Sequence, residues 1–236
     1  MIDFHSHILP AIDDGASDAQ ESILMLTILK QQKIDQIVAT PHYYGEGFTI
    51  LEFLKKRDES YQILQAELLA KEFIPPKIKL GAEVYLNPDT ADDPDLHKLC
   101  ITGTNVILLE MPFDTWYEWQ YHAIYKIIAK RKLIPVMAHV ERYYKDKSDL
   151  QKIERLLSLE VNCQLNASSL FDRRLWKFAK KILNSDSTVV LGSDMHNVTV
   201  RNSKLDIAIH KIIKVFGNEK MNKINQTAER LLSSNV

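Results

Sequence analysis

Short apolar or β-branched runs alternate along the chain with longer stretches in which hydrophobic positions recur every three or four residues. The runs predict strands over residues 2–6, 36–41, 78–84, 105–110, 133–139, 160–165 and 187–192. Between them lie helical segments. Ser17 followed three positions later by Gln20 has the form of a capping box and predicts a helix to about Lys33. Over residues 49–72, Ile50, Leu54, Tyr61, Leu64 and Leu68 predict an apolar face, and Lys55, Lys56, Arg57, Asp58 and Glu59 a solvated one. Alternating strands and helices are the mark of βα units and a parallel sheet. Seven strands suggest an α/β barrel, closed or nearly so, with an open sheet as the alternative. No internal repeat, low-complexity tract or Gly/Ser linker interrupts the pattern, so residues 1–236 are read as one domain.

Composition narrows the function classes. With 236 residues, 45% hydrophobic and 26% charged, the chain has the balance of a soluble globular protein with one sizeable core. Its net charge of −1 comes from interleaved acids and bases, which offers no basic patch for nucleic acid or an acidic membrane. Cys100 and Cys163 lack CxxC spacing and are too few for a disulfide scaffold, so a cytoplasmic location is expected. Acidic and histidine side chains occur by position 7, and neither secretion nor membrane insertion is expected.

The chemistry-bearing side chains collect at the carboxyl ends of the predicted strands. His5 and His7 end the first, His42 follows the second, Glu83 ends the third and Glu110 the fourth. His139 ends the fifth, and Asp194 and His196 follow the seventh. In a parallel barrel these ends meet on one face, so residues far apart in sequence converge. Singly, a strand-end histidine is more often a hydrogen-bonded structural residue than a ligand. Together they are harder to dismiss, because buried polar groups without partners cost about 1–3 kcal/mol apiece. A multinuclear metal site would satisfy them all. Mixed imidazole and carboxylate donors suit Mn²⁺, Zn²⁺ or Fe²⁺, and the absence of cysteine argues against a structural zinc. Hydrolysis is the natural use of such a cluster, and a phosphoryl substrate would also need cationic side chains. Arg142, three residues past His139, and Arg201, five past His196, are the candidates, because guanidinium groups match phosphate oxygens bidentately. His97, His122 and His210 have no second donor beside them and are read as solvated or structural. Cys100 and Cys163 are read as core residues, not nucleophiles.

At HSHILPAIDDGA, ATPH, GAEVYL, HVERY and SDMHNVTVR the sequence resembles the PHP (polymerase and histidinol phosphatase) superfamily, and more narrowly the bacterial manganese-dependent protein-tyrosine phosphatases of capsule and exopolysaccharide synthesis. The resemblance runs from residue 1 to about 205 and less distinctly beyond. It implies a distorted (β/α)7 barrel holding two or three Mn²⁺ ions, with Zn²⁺, Fe²⁺ or Mg²⁺ as alternatives. Carried over position by position, the ligands would be His5, His7, Asp14, His42, Glu83, Glu110, His139, Asp194 and His196. Asp14 is preferred as the turn ligand over its neighbour Asp13, and it is also a candidate proton donor to the leaving group. Arg142 and Arg201 match the phosphate-binding arginines. The implied substrate is a phosphotyrosine protein, by resemblance a cytoplasmic tyrosine kinase with a Tyr-rich tail. The same donors would also serve a small-metabolite phosphoesterase of the histidinol phosphatase kind, or a noncatalytic metal-binding module. Ala11 stands where relatives commonly carry Gly. The aromatic stretch from Trp116 to Tyr121 is either a helix packed on the barrel or a rim for an aromatic substrate.

Overall fold

In the structure, a computed structural model that describes residues 1–233, every strand pairing is parallel. Strand β1 (Ile2–Ser6) leads to α1 (Ala19–Gln31), β2 (Gln36–Ala39), β3 (His42–Tyr43) and α2 (Ile50–Ala70). Then come β4 (Lys77–Leu80), β5 (Glu83–Tyr85), α3 (Pro88–Asp92), β6 (Val106–Glu110), α4 (Glu118–Ala129) and β7 (Ile134–Met137). The chain continues through α5 (Leu150–Leu157), β8 (Asn162–Asn166), α6 (Arg173–Asn184), β9 (Val189–Gly192) and α7 (Leu205–Ser233), the last interrupted at Gly217.

The strands form two sheets, β1-β2-β4 and β3-β5-β6-β7-β8-β9. Two predicted strands are therefore broken. The run over 36–41 ends at Ala39 because Pro41 has no N–H for the ladder, and pairing resumes at His42 in the other sheet. The run over 78–84 likewise divides at Gly81 and Ala82 into β4 and β5. Backbone bonds bridge both breaks: Gly81 N–H donates to Ala39 O at 2.8 Å and Glu83 N–H to Pro41 O at 3.0 Å. With each broken pair taken as one, seven strand positions surround the axis. The seam between β9 and β1 is joined at its carboxyl end, where Asp194 N–H donates to His5 O and His7 N–H to Met195 O, each at 2.9 Å. Ser6 and Met195 form a parallel bridge there.

Period-two alternation places the cores. Val106 and Leu108 join Ile2, Phe4, Val38, Val136 and Val190 in one cluster, drawn from strands of both sheets and therefore inside the barrel. Ile107 and Leu109 point the other way, into the larger cluster shared with the helices. Ala228, Leu231 and Leu232 of α7 close the inner cluster.

Helix starts differ in detail from expectation. Asp18, not Ser17, caps α1 by accepting from Glu21 N–H at 2.8 Å, while Ser17 donates to the Glu21 carboxylate. A capping box does form at the start of α2, where Thr49 and Glu52 bond reciprocally. The inward face of α2 runs through Ile50, Phe53, Arg57, Ser60, Leu64 and Leu68. Arg57, expected on the solvated side, is buried with its stem against the core, and its guanidinium donates to Gly81 O at 3.2 Å, at the break between β4 and β5.

Candidate metal centre

The nine residues expected as ligands come from six strand positions, and the structure brings them together; Glu83, expected to end its strand, instead opens β5 after the break, as His42 opens β3. Glu83 stands at the centre. Its Oε2 lies 3.1 Å from His5 Nε2, 3.3 Å from His7 Nε2 and 3.0 Å from His42 Nδ1, and its Oε1 lies 2.8 Å from His139 Nε2. Asp194 approaches the first two histidines from β9, with Oδ1 at 3.7 and 3.5 Å. Glu110 Oε1 reaches His139 Nε2 at 3.4 Å. Asp14 Oδ1 lies 3.3 Å from both His42 Nε2 and His196 Nε2. Seven of the nine fall into three overlapping groups: His5, His7 and Glu83; His42, Glu83 and Glu110; and His7, Asp14, His42 and His196. His139 and Asp194 lie in none of these groups and meet the cluster through the contacts above.

Close backbone approach makes this convergence possible. A Cβ at Gly15 would stand 2.3 Å from His7 O, and one at Gly192 would stand 2.6 Å from His5 Cβ and 2.7 Å from Gln164 Nε2. Two ligand-bearing positions adopt left-handed backbone, His139 at φ 32° and Asp194 at φ 51°. His139 thus lies beyond the end of β7 and is not its last residue.

The two aspartates of the turn have different placements. Asp13 sits behind His7: its Oδ2 lies 2.7 Å from Nδ1 and also accepts from His42 N–H, while its Oδ1 accepts from Gly15 N–H. Burial raises its pKa, but the bonds to His7 outweigh that and lower it to about 2. An ionised Asp13 accepts from His7 Nδ1–H and leaves Nε2 directed into the cluster. Asp14 instead turns its carboxylate to the cluster and is 61% exposed.

Strand β8, which contributes no expected ligand, braces the cluster. Gln164 Oε1 accepts from His139 N–H at 2.7 Å and lies 3.0 Å from His5 Nδ1. Its amide donates to Asn166 Oδ1 at 2.8 Å, and Asn166 in turn donates to Asp194 Oδ2 at 2.7 Å. These bonds orient the Gln164 oxygen toward His5, so His5 Nδ1 carries the proton and Nε2 faces inward. The sequence reading missed these two residues. The available signal was the pair of amides in a strand whose five residues are all buried.

The donor chemistry fits divalent cations. His5 Nε2 and His7 Nε2 face each other at 3.0 Å with Glu83 and Asp194 oxygens around them, an arrangement of acceptors that needs positive charge. His139 Nδ1 is buried without a hydrogen-bond partner, and His42 Nδ1 and His196 Nε2 have carboxylate oxygens at 3.0 and 3.3 Å but no aligned hydrogen bond. Protons can supply part of that charge. Burial opposes protonation of His139, but Glu110 and Glu83 raise its pKa to about 9, and Asp13, Asp194 and Glu83 likewise outweigh burial at His7. Burial disfavours ionised Glu83, yet the surrounding histidines hold it well below the ordinary carboxylate range. Burial and the neighbouring His7 lower His196 to about 3. Cations that bind here would displace protons.

Both predicted arginines reach the mouth. Arg142 Nη1 donates to Asp194 Oδ2 at 3.2 Å, and Arg201 spans Asp14 Oδ2 and Asp194 Oδ1, each at 3.3 Å. They remain 37% and 40% exposed. Phe113 completes this rim: its ring stacks on His139 with centroids 5.5 Å apart, and Arg142 lies 4.8 Å over it. In the aromatic stretch, Trp116 packs edge-on against Tyr143 and donates to Pro112 O, and Tyr121 is buried in α4. These two are packing residues, and the rings stacked on donors lie outside the stretch: Phe113 on His139, and Tyr44 on His42 with centroids 5.1 Å apart. His97, His122 and His210 lie at the surface away from the cluster. Burial pushes the thiols of Cys100 and Cys163 up to about 12.

A parallel α/β barrel with metal-type donors gathered at the carboxyl ends of its strands defines a class in which barrel hydrolases are found. The fold is similar to that of an organophosphorus hydrolase mutant, with a TM-score of 0.56 over 98% of this chain and 92% of that one; at 10% identity the likeness is one of fold alone. A family model described as "Capsular polysaccharide synthesis, CpsB/CapC" matches residues 1–233, and the chain belongs to that family. The tyrosine-protein phosphatase YwqE of Bacillus subtilis (strain 168) is 32% identical over 236 residues, covering 98% of this chain and 91% of the relative. A solved structure from work on YwqE of Bacillus subtilis and CpsB of Streptococcus pneumoniae, described as metal-dependent tyrosine phosphatases, superposes with a TM-score of 0.86 at 29% identity. It covers 100% of this chain and 96% of that one.

Proposed function

We propose that the protein is a metal-dependent protein-tyrosine phosphatase that hydrolyses phosphotyrosine in a protein during capsular or extracellular polysaccharide synthesis. The observation that carries this reading is the inward-facing set of imidazole and carboxylate donors bordered by two half-exposed arginines. His5, His7, Asp14, His42, Glu83, Glu110, His139, Asp194 and His196 would hold two or three divalent ions, Mn²⁺ by resemblance. Such ions supply Lewis acidity toward phosphoryl oxygens and acidify bound water.

The chain's own side chains account for the rest. Arg142 and Arg201 neutralise the phosphoryl oxygens, exchanging part of their bonding to Asp194 and Asp14 for the substrate. Asp14, exposed at the mouth, would relay a solvent proton to the leaving oxygen when it is not holding an ion. Little acid assistance is required, because a tyrosine phenol has a pKa of about 10 and its phenolate departs more readily than an alkoxide. The raised pKa values of Cys100 and Cys163 leave no cysteine thiolate to attack phosphorus. Family membership and the relatives' activity support the polysaccharide setting. A cytoplasmic tyrosine kinase with a Tyr-rich tail is the proposed partner, consistent with the unpaired cysteines. No described helix is long and apolar enough to cross a membrane.

The test is turnover of a phosphotyrosine peptide against histidinol phosphate by the metal-loaded protein, before and after thiol alkylation. The expected result is clear preference for the peptide and no effect of alkylation. Preference for histidinol phosphate would contradict the reading.

A further inference from the structure

A trough leaves the donor cluster on one side. Its inner part is a cavity of about 420 Å³ whose wall includes the donors Asp14 and His42 at one end, with Ile12, Tyr44, Glu46, Phe48 and Lys56 among the residues lining the remainder. A second hollow of about 200 Å³ continues it: Ile12 and Lys56 line both, and beyond them the hollow runs between residues 10–12 and α2 to Ser60 and Ile63. Three large apolar side chains along this path, Tyr44, Phe48 and Ile63, are 49%, 47% and 58% exposed. Single exposed apolar residues are ordinary, whereas a row of them in a concave surface next to a site marks binding.

Charge adds direction. Lys56 Nζ lies 3.8 Å from the centroid of the Phe48 ring and forms no ion pair with any described residue. Glu59, which lines the outer hollow, faces Lys55 at 3.9 Å, and Glu46 lines only the inner one. The junction of the two hollows thus presents, beside an aromatic ring, a cation in no close ion pair, whose nearest acidic neighbour on α2 is Glu52, one turn before it and bonded to Thr49.

We propose that the trough binds the polypeptide flanking the phosphotyrosine, with an apolar side chain of the substrate packed on Ile12 and Phe48 and an acidic one paired with Lys56. The inference rests on the phosphotyrosine reading above and extends it from the reacting group to the chain that carries it. A small phosphate ester would engage the donors and arginines and leave the trough empty. The acidic preference falls at the junction, farther from the phosphotyrosine than Asp14 and His42, and it is modest because an exposed ion pair gains little.

Steady-state kcat/KM is measured for two phosphotyrosine peptides that differ only in carrying Glu or Lys among the flanking residues. The metal-loaded wild type, Lys56→Glu and Phe48→Ala are compared, with thermal melts to verify folding. The wild type is expected to favour the Glu peptide about threefold, Lys56→Glu to favour the Lys peptide, and Phe48→Ala to raise KM for both. An unchanged preference in Lys56→Glu overturns the inference while leaving the phosphotyrosine reading intact. If the wild type releases p-nitrophenol from p-nitrophenyl phosphate but turns over neither peptide, the phosphotyrosine-protein reading falls and this inference falls with it.

Discussion

Single residues at this site are set by the needs of their neighbours. Asp13 and Asp14 are adjacent in sequence and chemically identical, yet one braces His7 from outside and the other turns into the donor cluster. That difference depends on backbone direction within a turn, to which a hydrophobic pattern is blind. Ala11 has φ 54° and its N–H donates to Ala16 O at 2.8 Å across the same turn. A left-handed alanine costs about 1–2 kcal/mol, partly offset because glycine loses more entropy on folding. Ala11→Gly should therefore raise the melting temperature by about 1–3 °C, read by calorimetry, with the site intact. A lowered melting temperature would show that the turn carries no strain.

At the scale of elements, the strands were legible because a parallel barrel strand is a short apolar run. Their carboxyl ends were legible because polar side chains there interrupt that run. The breaks at Pro41 and at Gly81 and Ala82 were passed over, although Pro41 and Gly81 mark them, because apolar residues on both sides let each run read as one strand while the pairing passes from one sheet to the other. The burial of Arg57 escaped for a similar reason: its partner is a backbone carbonyl exposed by one of those breaks. Strand β8 was read correctly as a strand and passed over as part of the site, although Gln164 and Asn166 connect His5, His139 and Asp194. Gln164→Leu keeps the volume and removes the acceptor, leaving His139 N–H buried without a partner at a cost of about 1–3 kcal/mol. The variant should bind Mn²⁺ roughly 10–100-fold more weakly, measured by titration calorimetry. Wild-type affinity would exclude the amide relay from positioning the donors.

For the whole molecule, the barrel joins donors separated by almost two hundred residues at the seam where β9 meets β1. Asp3, at the amino-terminal side of His5, accepts from Ser193 N–H and Oγ–H and fastens the same seam from below. These bonds fasten the carboxyl face across the seam, and the account stands on what that face does. Its most direct test is hydrolysis of a phosphotyrosine peptide by protein stripped of metal with a chelator, verified by elemental analysis, and then titrated with Mn²⁺. The account predicts no turnover in the stripped protein and recovery that saturates at two or three equivalents. Undiminished turnover by verified metal-free protein would contradict it.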